Sequence, residues 1–147
     1  MQINKVTNYV SVSPQIQLED VKTLAELGFK SIICNRPDGE GADQPTFAEI
    51  EAKASSLGLT CVYQPVVSGK VTQQDAITFE ANLQKLEGPV FAYCRTGTRS
   101  ITLWAMTATK TLSYEDILCL SQKAGYDLSG VVRRLKNGGE TPTTVLT

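Results

Sequence analysis

Residues 90–100 read VFAYCRTGTRS. Val90, Phe91, Ala92 and Tyr93 form an apolar run of the length expected for a strand buried on both faces. Cys94 ends the run and opens a tight loop containing Gly97, and residues 100–110 return to a helical pattern. A strand, a tight loop and a helix in that order are the repeating unit of a parallel α/β sheet. In such sheets ligands bind beyond the carboxyl ends of the strands, which is where this loop falls.

The alternation continues outward on both sides. Residues 6–12 mix β-branched and aromatic side chains and read as a first strand, ended by Pro14. Asp20, Val21, Leu24, Ala25 and Leu27 keep helical spacing, and Gly28 suits the residue after a helix end. Residues 29–34 (FKSIIC) read as a short buried strand, followed by a polar loop at 35–44 (NRPDGEGADQ). Thr46, with Glu49 three residues on, caps a helix to about residue 57, closed by Gly58. Residues 59–67 read as a strand. Thr72 caps a helix to about residue 86, with Asp75 at the position where an acid complements the helix amino end. Residues 113–123 and 127–135 complete the set as two more helices. The pattern predicts a three-layer αβα domain around a mostly parallel sheet of four to five strands. It spans residues 1–136, with a flexible Gly-, Thr- and Pro-rich tail at 137–147. The loops at 35–44, 65–71 and 94–100 should then converge.

The chain has 147 residues, one domain's worth, with 41% hydrophobic and 20% charged residues. Fourteen basic against fifteen acidic residues leave a net charge of −1, so bulk charge draws it to neither nucleic acid nor membrane. No signal-like segment or long apolar run is present, and a cytoplasmic protein is expected. There is no histidine, which removes Ser-His-Asp triads, Cys-His dyads and histidine-ligated zinc. The four cysteines show no Cys-x-x-Cys spacing. Cys34, Cys61 and Cys119 lie in apolar runs and read as buried hydrophobes. Cys94 does not.

The loop Cys94-Arg95-Thr96-Gly97-Thr98-Arg99-Ser100 makes joint physical sense as an anion cradle. Gly97 permits a twist closed to other residues. The loop amides and the following helix end favour negative charge, and Arg99 adds a planar fork of donors. A thiolate held this way is a nucleophile that needs no histidine. Cys94 and Arg99 are thus the catalytic candidates, with Arg95, Thr96, Gly97, Thr98 and Ser100 lining the cradle. Ser100 is placed to cap the helix, to hydrogen-bond the Cys94 sulfur, or both. Arg36, Asp38 and Lys70, from the two neighbouring loops, are further candidates for substrate contact. Trp104 and Met106, on the following helix, read as packing residues.

Arg99 stands five residues after Cys94, giving Cys-x4-Arg, one residue shorter than the Cys-x5-Arg of cysteine phosphatases, and Tyr93 stands where those enzymes carry histidine. YCRTGTRS resembles the active-site loop of single-domain rhodaneses. NRPDGE at 35–40, QPVVSG at 64–69 and AGYDLSG at 124–130 resemble the phosphatase-like domain of the beta-lactamase-hydrolase-like protein family, over about residues 5–136. The resemblance implies a cysteine-phosphatase-like fold with a rhodanese-like loop. It implies either sulfurtransferase or phosphatase-like activity, since members are described as both. Some are fused to a metallo-beta-lactamase-type persulfide dioxygenase, and no such domain lies within these 147 residues.

A phosphatase protonates its leaving group, and in the resembling fold an Asp does so from the loop after the strand at 59–67. Here that loop reads VVSGKV, without a carboxylate. Asp38 and Glu40, from the neighbouring loop, could act as acids or pair with Arg36 or Arg99. Sulfur transfer needs no such acid. The expectation is therefore a sulfurtransferase carrying a persulfide on Cys94. A hydrolase forming a cysteinyl-phosphate is the alternative, and a non-catalytic anion-binding or redox-sensing domain the second. The expected partners are a small sulfur- or phosphate-containing anion and a small-thiol or protein-thiol acceptor, without nucleic acid, membrane, metal or cofactor.

Overall fold

Along β5 (Val90–Tyr93), Val90 and Ala92 join one apolar cluster while Phe91 and Tyr93 join another. That period of two is what a strand covered on both faces requires. In β3 (Ser31–Cys34), Ile33 enters the first cluster, and Ile32 and Cys34 the second. The computed structural model describes residues 1–138. It places β5 and β3 at the centre of a five-stranded sheet in the order β1-β2-β5-β3-β4. Here β1 is Asn4–Lys5, β2 is Val10–Ser13 and β4 is Thr60–Tyr63. Only β1 runs antiparallel.

Helices cover both faces. α1 (Leu18–Glu26) and α2 (Phe47–Ser56) pack on one side through Val21, Leu24, Ile50 and Ala54. The other side carries α3 (Gln73–Lys85), α4 (Thr98–Ala108), α5 (Tyr114–Lys123) and α6 (Ser129–Lys136). Trp104 and Met106 are each 5% exposed and belong to that core, as read from the sequence. Fully burying one such side chain is worth about 1.5–3 kcal/mol, so the two clusters hold the layers together.

The helix starts follow the capping signals. The Thr46 hydroxyl accepts from the Glu49 N–H while the Glu49 carboxylate accepts from the Thr46 N–H. Thr72 and Asp75 repeat this reciprocal pair at 3.1 and 3.0 Å, so Asp75 caps α3 and is not a free acid.

Four expectations change. The first strand is two: Val6 and Thr7 both donate to the Val10 carbonyl, and the Thr7 hydroxyl accepts from the Tyr9 and Val10 amides, closing a turn within residues 6–12. The strand expected at 59–67 stops at Tyr63, where its loop turns toward the site. α4 begins at Thr98, two residues early, because Gly97 (φ +94°) reverses the chain into it. Cys119 is exposed and Cys61 only partly buried. The buried positions of α5 are Ile117 and Ser121, four apart, and Cys119 lies midway between them in sequence, on another side of the helix. Residues 139–147, most of the expected tail, lie outside the described residues. Among the described residues, no helix is long and apolar enough to cross a membrane.

Strand register decides where function can sit. Ser13, Tyr93, Cys34 and Tyr63, the last residues of the four parallel strands, are register partners in one row. Every loop after that row starts at the same edge, and the pairing runs on past it. Asn35 N–H donates to the Tyr93 carbonyl at 2.8 Å, and Gln64 N–H to the Cys34 carbonyl at 2.9 Å.

Candidate active site

The three loops meet through a few buried groups. Asn35, fully buried, joins them: its amide donates to the Gln64 carbonyl at 3.0 Å and its side-chain oxygen accepts from the Ser100 hydroxyl at 2.8 Å. Its own carbonyl accepts from the Val66 N–H. Ser100 therefore neither bonds the Cys94 sulfur nor caps the helix; it is the third residue of α4, and Gly97 holds the cap position.

Cys94, 0% exposed, sits at the floor of the loop. Its Sγ accepts a hydrogen bond from the Gly97 N–H at 3.1 Å. An amide aimed at sulfur stabilises the thiolate over the thiol. Thr98 begins α4, and its N–H and hydroxyl both meet the Thr96 hydroxyl, tying the loop to the helix start. The amides of the first helical turn have no carbonyl partners within the helix and carry its partial positive charge. Gly97 is required twice over. Its φ is positive, and a Cβ there would lie 2.0 Å from the Tyr126 hydroxyl and 3.2 Å from the backbone of Ser13.

Arg99 is 1% exposed. Its Nη1 donates to Glu40 Oε2 and to the Val66 carbonyl, both at 2.8 Å, and its Nη2 to Glu40 Oε1 at 2.8 Å. Among the described residues its buried Nε has no hydrogen-bond partner, so one donor of the fork is unspent. Burial works against the guanidinium's charge, but the Glu40 hydrogen bonds and the nearby Cys94 outweigh it and push the Arg99 pKa up.

Glu40 takes the positioning role. Hydrogen bonds from Arg99, with Arg36 behind them, outweigh its partial burial and hold its carboxyl below the usual carboxylate range. An ionised Glu40 has no proton to give a leaving group, so of its two expected roles the pairing one holds. Asp38 is spent on structure: its carboxylate accepts from the Phe47 N–H at the start of α2, at 2.8 Å. Arg36 is turned inward, its Nε on Glu40 at 3.0 Å and its Nη1 on the Gln15 side chain at 3.1 Å. It braces Glu40, and both of these bonded nitrogens are already partnered. Arg95 and Lys70 are exposed. The Arg95 carbonyl accepts from the Gln15 N–H, and Lys70 lies in the turn after Val66 and Val67.

Sequence reasoning gave no role to Asn35, Gln15 or Tyr126. The only signal for Tyr126 was its place in the AGYDLSG stretch. A cavity of about 530 Å³ lined by Tyr9, Leu83, Trp104 and Leu112 lies at the opposite, amino-terminal ends of the strands. Its walls hold no cysteine and no arginine, so chemistry rather than concavity locates the site.

The family model for the beta-lactamase hydrolase-like protein, phosphatase-like domain, matches residues 2–111, which takes in the Cys94 loop and Glu40. The chain belongs to that family. A beta-lactamase hydrolase-like protein of Agrobacterium fabrum is 31% identical over 138 residues, covering 92% of this chain. The chain spans about a third of that relative's length (32%). The crystal structure of a candidate phosphatase from Neisseria meningitidis is 39% identical, with a TM-score of 0.84, over 93% of this chain and 98% of that one. P. aeruginosa TpbA, solved in complex with pTyr, shares the fold at 16% identity and a TM-score of 0.65, over 86% of this chain and 76% of that one. The fold is that of the cysteine phosphatases, as the resemblance implied. The neighbours favour the hydrolase alternative and lend no support to sulfur transfer as the first reading.

Proposed function

We propose that the chain is a cysteine-dependent phosphate-ester hydrolase. The observation that carries this is the Cys94 sulfur under the Gly97 amide, beside an Arg99 whose Nη groups are held by Glu40 while its Nε stays free. The neighbours' phosphatase fold supports the reading. The Cys94 thiolate attacks phosphorus, a P–S bond forms and the ester P–O bond breaks. The leaving oxygen departs as an anion and takes its proton from water. Arg99 Nε and the loop amides hold the phosphoryl oxygens, where charge gathers in the transition state. Water then attacks the cysteinyl-phosphate, releasing phosphate and restoring the thiolate. With Glu40 ionised and Asp38 and Asp75 committed to helix starts, the substrates best served have leaving groups that depart unprotonated, such as aryl phosphates.

The short Cys-x4-Arg loop and the same ionised Glu40 favour a second reading, transfer of a sulfane sulfur through a Cys94 persulfide to a thiol acceptor. One pair of measurements separates the two. Aryl phosphate turnover with a phosphorylated Cys94 peptide trapped on acid quench is the result expected. A single sulfur added to Cys94 after thiosulfate, with no aryl phosphate turnover, would overturn the hydrolase in favour of the transferase.

A further inference from the structure

Cys94 receives its hydrogen bond from an amide whose own peptide plane is gripped on the far side. The Thr96 carbonyl and the Gly97 N–H belong to one peptide group, and in a trans peptide these two bonds point in opposite directions. The Gly97 N–H points inward to Cys94 Sγ at 3.1 Å. The Thr96 carbonyl points outward and accepts from the Tyr126 hydroxyl at 2.9 Å. That hydroxyl also accepts from the Asn4 side-chain amide at 2.9 Å. Asn4 supplies a proton to the phenol oxygen, so the phenol's own proton is directed at Thr96. The same oxygen fills the space a side chain at position 97 would need.

We infer that Tyr126 is a positioning residue for the nucleophile: its hydroxyl fixes the orientation of the Thr96–Gly97 peptide and so aims the Gly97 amide at the Cys94 sulfur. The inference rests on Cys94 being the nucleophile but not on which group it transfers. Burial pushes the Tyr126 phenol up, with Asn4 opposing and Cys94 adding to the rise, so it is protonated and can donate at neutral pH. The titratable groups that feel Cys94 are Arg99 from α4, Tyr126 from the loop between α5 and α6, and Cys34 from β3. Arg99 is held by Glu40 and Val66, independently of Tyr126. Removing the phenol oxygen therefore takes away its hold on the peptide's carbonyl without touching the arginine.

The test is Tyr126→Phe, read by the ultraviolet absorbance of the Cys94 thiolate against pH. Each curve is the difference between a chain and the same chain carrying Cys94→Ser. Loss of one oriented hydrogen bond lowers the thiolate-to-thiol ratio at neutral pH about threefold to tenfold, so the Tyr126→Phe curve moves to higher pH. Asn4→Ala leaves the Tyr126 hydroxyl free to reach Thr96, and moves the curve less than Tyr126→Phe does. Superimposed curves for the chain and Tyr126→Phe would overturn the inference, even with a lowered melting temperature, which a purely structural tyrosine would also give. A shifted curve in a chain that turns over neither aryl phosphate nor thiosulfate upholds this inference and sinks the proposed function alone.

Discussion

Cys34 ends β3, and Cys94 comes directly after the end of β5, its hydrogen-bonded neighbour. The two are almost equally hidden, 2% and 0% exposed, yet their sulfurs have different partners. The Cys34 thiol donates to the Arg36 carbonyl at 3.3 Å, and burial pushes its pKa up, so it keeps its proton. The Cys94 sulfur accepts from an amide. The cause lies in the residues that leave each strand. After Cys34 come Asn35, Arg36 and Pro37, and proline disfavours helix in the residue before it, so no helix starts beneath that sulfur. After Cys94, Gly97 reverses the chain into a helix and brings an amide back. Burial alone does not tell the two cysteines apart; the loop that follows each strand does.

The largest expected effect breaks the pair apart. Cys94→Ser should lower turnover by about 10⁴-fold or more, the scale seen when a covalent nucleophile is removed. Cys34→Ser, which still offers a donor to Arg36, should keep most of it. Steady-state assay of both variants checks the contrast, and a dead Cys34→Ser would erase it. Next comes Glu40→Gln, which leaves Arg99 and Arg36 without their shared counter-charge. The expected loss is about 10²-fold in kcat/KM, the scale of a misplaced catalytic group. Gly97→Ala takes the amide from Cys94 by strain at φ +94°. About 1–3 kcal/mol of backbone strain corresponds to about fivefold to 10²-fold in turnover, and wild-type turnover would show that the twist is dispensable.

The smallest effect concerns pH. Glu40 has a folded pKa below its ordinary 4.5. Its stabilisation is thus present above that value and fades as pH falls through the lowered one. The melting temperatures of the chain and of Glu40→Gln should differ near neutral pH and draw together in acid. Parallel curves would show that the Arg99 pairing does not bear on folding.

The central strand, the loop after it and the convergence of three loops were legible because short apolar runs, glycines and capping residues carry local signals. Cys94, Arg99 and Gly97 could be grouped as candidates for that reason. The direction of side chains between distant loops could not. Arg36 and Asp38 look like substrate groups in NRPDGE until the fold shows one turned onto Glu40 and the other spent on the start of α2. Tyr126 lies thirty residues from Thr96, and no spacing rule connects them. Cys119 was misplaced because DILCL is apolar in sequence while the helix shows only part of it to the core. The reading toward sulfur transfer leaned on the short Cys-x4-Arg loop and on the missing acid in VVSGKV, both local features, whereas the fold shared with the neighbours favours the hydrolase alternative.

Asn35 ties the loops after β3, β4 and β5 to one another, and Gln64 and Asn82 extend that buried chain into α3 at 2.9 Å. Loops joined this way should open with the sheet rather than singly. Amide hydrogen exchange at Asn35, Val66 and Ile101 should then be slow, and on the timescale of the core strands. Exchange that slow would place the Cys94 loop in the last cooperative unit to unfold and make the site a mould set before any anion enters.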